Sequence, residues 1–211
     1  MTYTLFYSPG TASLCVHWML IELGVPLELV RLDFEAGDQR DPAYLQLNPA
    51  GRVPTLVVDG RPYSESAALL MLLAERHPKA GLAPMPGAPE RGKWLETMVF
   101  LANTLSPAMR DWFYADKDGD PAGAEAVRAI ARSRIEGAWD RLDAQLGDGE
   151  AWLFGERAGA ADFLAGMLMR WSRNMPKPAS RWPGLAVYLG RIADLPSYHE
   201  LCEREGIAPW P

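Results

Sequence analysis

Two short stretches carry residue types that suit chemistry. The first runs from Asn48 to Leu56 and continues to Ser64, Glu65 and Ser66. Asn48-Pro49 and Gly51 make a turn that delivers Val53-Pro54 onto the apolar strand Thr55–Val58. Proline removes a ladder donor and is tolerated at the first residue of a strand or at an edge. Asp59-Gly60 is a two-residue hairpin signal, and the return strand ends in Ser64-Glu65-Ser66 just ahead of the apolar run from Ala67 to Ala74. A strand-to-helix junction presents unpaired backbone N–H groups, which bind anions. The stretch therefore sets an interrupted strand edge beside a helix N-terminus carrying two hydroxyls and a carboxylate. The second stretch holds Tyr7, Ser8, Thr11, Ser13, Cys15 and His17. Residues two apart on a helix do not face each other, so Cys15 and His17 are not a catalytic pair. Cys15 reads first as a small buried hydrophobe and second as a reactive thiol.

The elements that must position these groups follow from pattern. Thr2–Tyr7 is a strand, Ser8–Thr11 a turn, and Ala12–Leu23 a helix stopped by Gly24. Leu27–Leu32 is a second strand, parallel to the first through a right-handed crossover, and the hairpin extends the same sheet. Residues 34–48 read as a polar, irregular or short-helical connection. A helix from Glu65 to Arg76 ends at His77-Pro78. Between Lys79 and Glu90 lie three prolines and two glycines, a linker composition. Beyond it the chain reads as helices: Arg91–Tyr114, Pro121–Leu146 with Pro121 suited to a first turn, Ala160–Arg173, Trp182–Ala193 and Pro196–Glu205, with a loop at residues 147–150.

The chain has 211 residues, 48% apolar and 23% charged, with net charge −6. That is ordinary for a globular chain with a core and lacks the basic stripe of a nucleic-acid or anionic-membrane binder. No apolar run approaches the roughly 20 residues of a membrane span, and the first residues read as a strand rather than a basic signal segment. The two cysteines, Cys15 and Cys202, have no zinc or redox-pair spacing. No metal is expected, and a reduced cytoplasmic compartment is the expectation.

Taken in order, Tyr7-Ser8-Pro9-Gly10, Asn48-Pro49 through Val53-Pro54, Glu65-Ser66, and the segment from Gly155 to Ala161 and Asp162 resemble the glutathione transferase superfamily over nearly the whole chain. The start is most similar to the bacterial beta-class branch. The resemblance implies an α/β thioredoxin-like N-terminal domain over residues 1–78, a linker over 79–90 and an all-α domain over 91–211. It also implies a homodimer, glutathione as co-substrate, a detoxifying activity and a cis Val53–Pro54 bond. The backbone at Val53 would pair with the cysteinyl unit of glutathione, as in strand addition. Glu65 would take the γ-glutamyl ammonium, and Ser66 with its helix N-terminus the carboxylate. Glu65 and Ser66 as plain helix caps is the competing reading. Arg52 is placed either at the glycyl carboxylate or in solvent.

The family reaction needs a thiolate. Moving a thiol from a pKa of ~8.5 to ~6.5 takes about 2.7 kcal/mol. A helix N-terminus supplies ~0.3–1 kcal/mol, and a hydroxyl donating to a charged acceptor ~1.5–3 kcal/mol. A hydroxyl is therefore required near Ala12. The beta-class cysteine falls at Ala12, so mixed-disulfide chemistry there is lost. Ser13 and Thr11 are the catalytic candidates, with Ser13 slightly preferred; both also suit a turn or cap. Tyr7 reads as a wall of the site. Arg110, Phe113 and Tyr114, with Trp210, are the residues the resemblance assigns to the electrophile, although aromatic stripes are more often core. Ser106 stands near a position where some beta-class members have histidine. The alternatives are a glutathione-dependent thiol–disulfide enzyme, which only Cys15 could serve, and a non-catalytic glutathione binder.

Overall fold

The computed structural model describes residues 2–147 and 150–210, so the expected loop at Asp148 and Gly149 and the terminal Pro211 lie outside the described residues. The chain divides into two compact units. The first comprises Met1–Ala83 together with Asp194–Pro209, and the second centres on Pro84–Ala193.

The first unit is built on a four-stranded sheet in the order β2-β1-β3-β4. Strand β1 (Tyr3–Tyr7) runs parallel to β2 (Leu27–Arg31), with Tyr3 opposite Leu27. Strand β3 (Thr55–Val58) is antiparallel to β1, with Phe6 opposite Thr55, and β4 (Arg61–Ser64) pairs antiparallel with β3, with Ser64 opposite Thr55. This is the expected crossover followed by a hairpin. The register puts three segments at one end of the sheet: the loop that follows β1, the residues that precede β3, and the junction that follows β4.

Helix α1 (Leu14–Leu23) begins two residues later than the sequence suggests, because Thr11–Ser13 form a turn, and Gly24 closes it at φ 61°. Every side chain from Leu14 to Leu20 is buried. A helix apolar on all sides must be covered on all sides, and α1 packs against both α3 (Ser66–Arg76) and α9 (Pro196–Glu205). Trp18 Nε1 donates to Ser197 Oγ at 3.0 Å, and the Trp18 and Tyr198 rings lie 5.1 Å apart. Helix α9, which chain order placed in the 91–211 helical segment, therefore completes the core of the sheet-bearing unit. The connection before β3 contains helix α2 (Pro42–Leu47), with Asp41 Oδ1 accepting from Ala43 N at 2.7 Å as its N-terminal cap.

In the second unit the expected single helix from Arg91 to Tyr114 is interrupted. Helix α4 (Arg91–Phe100) passes through a π-helical turn at Leu101–Leu105 into α5 (Ser106–Tyr114). Pro107 lies in the first turn of α5 and has no N–H to continue a regular ladder, which accounts for the break. Pro121 opens a 3₁₀ turn, and α6 (Ala124–Gly147) follows it. Helices α7 (Ala160–Trp171) and α8 (Pro183–Ala193) complete the unit. Gly159 N donates to Asp162 Oδ2 at 2.9 Å, but a glycine cap has no side chain to receive a bond in return. Asp162 also accepts from Leu153 N at 2.9 Å and Tyr188 O–H at 2.7 Å. Those three donors anchor the Asp162 carboxylate at the start of α7.

Candidate active site

The end of the sheet shared by the three segments brings together the turn after Tyr7, Val53–Pro54 and Glu65–Ser66. Val53–Pro54 is a cis peptide, as the resemblance implied. The neighbouring Arg52 carbonyl is fixed by Tyr44 O–H at 2.5 Å and Asn48 Nδ2 at 2.8 Å. Both side chains also meet Thr55 Oγ1, at 2.8 and 3.0 Å. The backbone is thus held rigidly on either side of Val53. Among the described residues neither the N–H nor the C=O of Val53 has a partner. Such an open pair is what an added extended peptide needs. Gly51 makes the approach possible: at φ 57°, a Cβ would sit 2.8 Å from the Gln39 carbonyl oxygen. No local sequence signal marks the Tyr44–Asn48–Thr55 bracket; Asn48 is legible only as half of a turn dipeptide.

Glu65 is exposed and has φ 71°, ψ 106°, a backbone conformation that side-chain-bearing residues rarely adopt. It does not cap α3 with its side chain, which leaves the carboxylate available. Ser66, half-buried at the start of α3, donates its hydroxyl to the Ala12 carbonyl at 2.8 Å. That bond draws the N-terminus of α3 against the loop after β1. It also changes how Ser66 reads: its one proton is committed to Ala12, so the backbone N–H groups opening α3 are the free donors there. Arg52 is exposed.

In the loop, Thr11 Oγ1 donates to the Ser8 carbonyl at 2.7 Å. Ser13 Oγ lies 3.2 Å from the same carbonyl oxygen and 3.0 Å from Thr11 Oγ1, and it accepts from Ser8 N at 3.3 Å. Thr11 is half-buried, whereas Ser13 is fully buried. The amides of Ala12 and Ser13 have no backbone acceptor among the described residues. Tyr7 is buried, its ring 5.5 Å from that of His17. Cys15 is fully buried, and desolvation pushes its thiol up to about 12. That is the small-hydrophobe reading, not the reactive one.

The residues expected at the electrophile lie on α5. Phe113 and Tyr114 are exposed rather than core. Arg110 stacks on the Tyr114 ring, 4.5 Å from its centroid, and pairs with Asp118 at 2.6 Å. Trp210 is half-buried. Among the described residues no group of three or more His, Cys, Asp or Glu could hold a metal, and no helix is long and apolar enough to cross a membrane.

A sheet of this topology, a cis-proline loop and a strained helix N-terminus define a thioredoxin-like domain joined to a helical one. Residues 12–76 match the family model of the glutathione S-transferase N-terminal domain, and residues 124–191 that of its C-terminal domain. A glutathione S-transferase of Xanthomonas campestris pv. campestris is 30% identical over 207 residues, covering 96% of this chain and 98% of that one. One from Escherichia coli is 28% identical over 209 residues, with the same coverage. A bacterial beta-class glutathione S-transferase of Sphingomonas chungbukensis is 30% identical, covers 97% of this chain and 100% of its own, and superposes with a TM-score of 0.83. A sphingomonad glutathione S-transferase complexed with glutathione matches at 30% with a TM-score of 0.84 and the same coverage. The chain belongs to the glutathione S-transferase family.

Proposed function

We propose that the protein binds glutathione at this end of the sheet and transfers its thiolate to small hydrophobic electrophiles. The observation that carries the reading is the unpaired Val53 backbone beside the N-terminus of α3, in a chain of this family. Glutathione's cysteinyl unit pairs with Val53 next to cis-Pro54. Its γ-glutamyl ammonium meets Glu65, its α-carboxylate meets the Ser66 end of α3, and Arg52 reaches the glycyl carboxylate. The cysteinyl sulfur is then directed at the turn before α1.

There the free amides of Ala12 and Ser13 and one hydroxyl stabilise the thiolate. Burial removes Ser13 from direct contact, so the hydroxyl is Thr11's. If Thr11 turns to the sulfur, the Ser13 proton takes over the Ser8 carbonyl and no buried acceptor is stranded. Thr11 and Ser13 thus act as a pair, with Thr11 in contact and Ser13 behind it. Tyr7, Arg110, Phe113, Tyr114 and Trp210 are assigned to the electrophile; they are tested by Phe113→Ala and Tyr114→Ala, whose expected effect is on the electrophile KM and not on that for glutathione. Detoxification in the cytoplasm, as a homodimer, completes the proposal.

The test is conjugation of a dinitrohalobenzene, followed by the pH profile of bound glutathione. Thr11→Val raises the apparent pKa of bound glutathione by about one to two units, the worth of one hydroxyl on a charged acceptor. Ser13→Ala moves it less. Glutathione binding without turnover in the wild type would leave a non-catalytic binder. The disulfide-exchange alternative is disfavoured by Ala12 and by the burial of Cys15.

A further inference from the structure

Resting on the transferase reading, we propose that Glu205, on the last turn of α9, is a positioning residue for the thiolate loop. Its carboxylate is wholly buried, yet both oxygens are engaged. Oε2 accepts from Gly10 N at 2.8 Å, and Oε1 accepts from His17 Nδ1 at 2.9 Å. Gly10 sits at φ 70°, so its amide is turned inward by a backbone that favours glycine. The loop is therefore held from outside on both sides of Thr11. Ser66 takes the Ala12 carbonyl at 2.8 Å, and Glu205 takes the Gly10 amide.

His17 gives the carboxylate a fixed orientation. It is buried, in ring contact with Tyr7, and its Nε2 has no partner among the described residues. A buried carboxylate is a poor device for stability alone, because well-packed apolar groups serve as well or better. Its two bonds instead fix a direction: one runs to the loop that must meet the sulfur, the other to the helix beneath that loop. No hydrogen bond or ion pair joins Glu205 or His17 to the proposed binding residues Val53 and Glu65, so its influence is on where the thiolate donors stand.

The experiment compares Glu205→Ala, Glu205→Gln and Ser197→Ala in the full chain. Ser197→Ala breaks the Trp18–Ser197 bond between α9 and α1 and leaves the loop alone. Conjugation of a dinitrohalobenzene is measured with kcat and the glutathione KM resolved, alongside amide hydrogen exchange at Gly10. For Glu205→Ala the expectation is a loss of about tenfold or more in kcat, the scale of a displaced site loop, with the glutathione KM within about threefold and faster Gly10 exchange. Glu205→Gln, whose amide oxygen can still accept from Gly10, recovers part of the loss; if Glu205→Ala does not fold, this variant carries the decision. Ser197→Ala keeps wild-type kcat and Gly10 exchange. Equal kcat and equal Gly10 exchange in the Glu205 variants and Ser197→Ala would overturn the proposal. If the wild type neither binds glutathione nor turns over, the transferase reading fails separately. Gly10 exchange in Glu205→Ala then decides the tie by itself, and unchanged exchange defeats it.

Discussion

Glu65 is where binding and stability are expected to pull apart. Its φ of 71° and ψ of 106° lie outside the regions open to a residue with a Cβ. Such conformations cost about 1–3 kcal/mol and persist only where surrounding bonds enforce them. Here the enforcement is the Glu65 carbonyl accepting from Leu69 N at 2.9 Å and the Ser66–Ala12 bond immediately after it. Glycine relieves the strain but adds about 0.5–1 kcal/mol of unfolded-state freedom. Against Glu65→Ala, which keeps the Cβ, Glu65→Gly is therefore expected to be more stable by about 1 kcal/mol. For a chain of this size that is a rise of about 2–4 °C in thermal midpoint. Both variants lose the carboxylate, so both weaken glutathione binding by about tenfold or more, the worth of a charged hydrogen bond. The assay pairs thermal melts without ligand with calorimetric titration of glutathione. A Glu65→Gly variant that melts at or below Glu65→Ala would refute stored strain at this position.

Further outcomes follow from burial and close approach. Gly51→Ala drives a Cβ against the Gln39 carbonyl at a positive φ; it should cost about 1–3 kcal/mol in urea unfolding and raise the glutathione KM. Burial pushes the Asp162 carboxyl up to about 6, its hydrogen-bond donors offsetting only part of that effect. The folded chain thus holds this proton to higher pH than the unfolded chain does. This group's contribution is present at low pH and lost as pH rises from about 4 through 6, about 3 kcal/mol in all. The wild-type melting temperature minus that of Asp162→Asn should fall across that window; a flat difference would count against it. Cys15, buried and with its thiol pushed up to about 12, should resist alkylation at neutral pH until the chain is unfolded, and Cys15→Ser should leave any disulfide reduction unchanged.

Local signals made much of the fold legible. The β1–α1–β2 crossover and the Asp59-Gly60 hairpin are set by neighbours in sequence, and the structure has both. The Val53-Pro54 and Glu65-Ser66 segments were likewise visible as strand and helix starts. The partner of α1 was not. Seven consecutive buried residues from Leu14 to Leu20 required a cover on more than one side, but nothing near them in sequence says that α9 supplies it. Ser13 suits the donor role by type and place; what the sequence does not carry is its full burial beside a half-buried Thr11. The break between α4 and α5 needed Pro107 to outweigh an apolar period that runs on past it.

The Gly10–Glu205 bond spans 195 positions of sequence, and the His17–Glu205 bond 188. During synthesis the sheet and its cis-proline loop emerge early, and the helical segments follow before Glu205 exists. Non-local contacts carry a large closure cost and form late. The ribosome therefore releases a chain whose oldest loop is finished by nearly its youngest helix. Shortening or tagging the chain near residue 205 acts on its first turn.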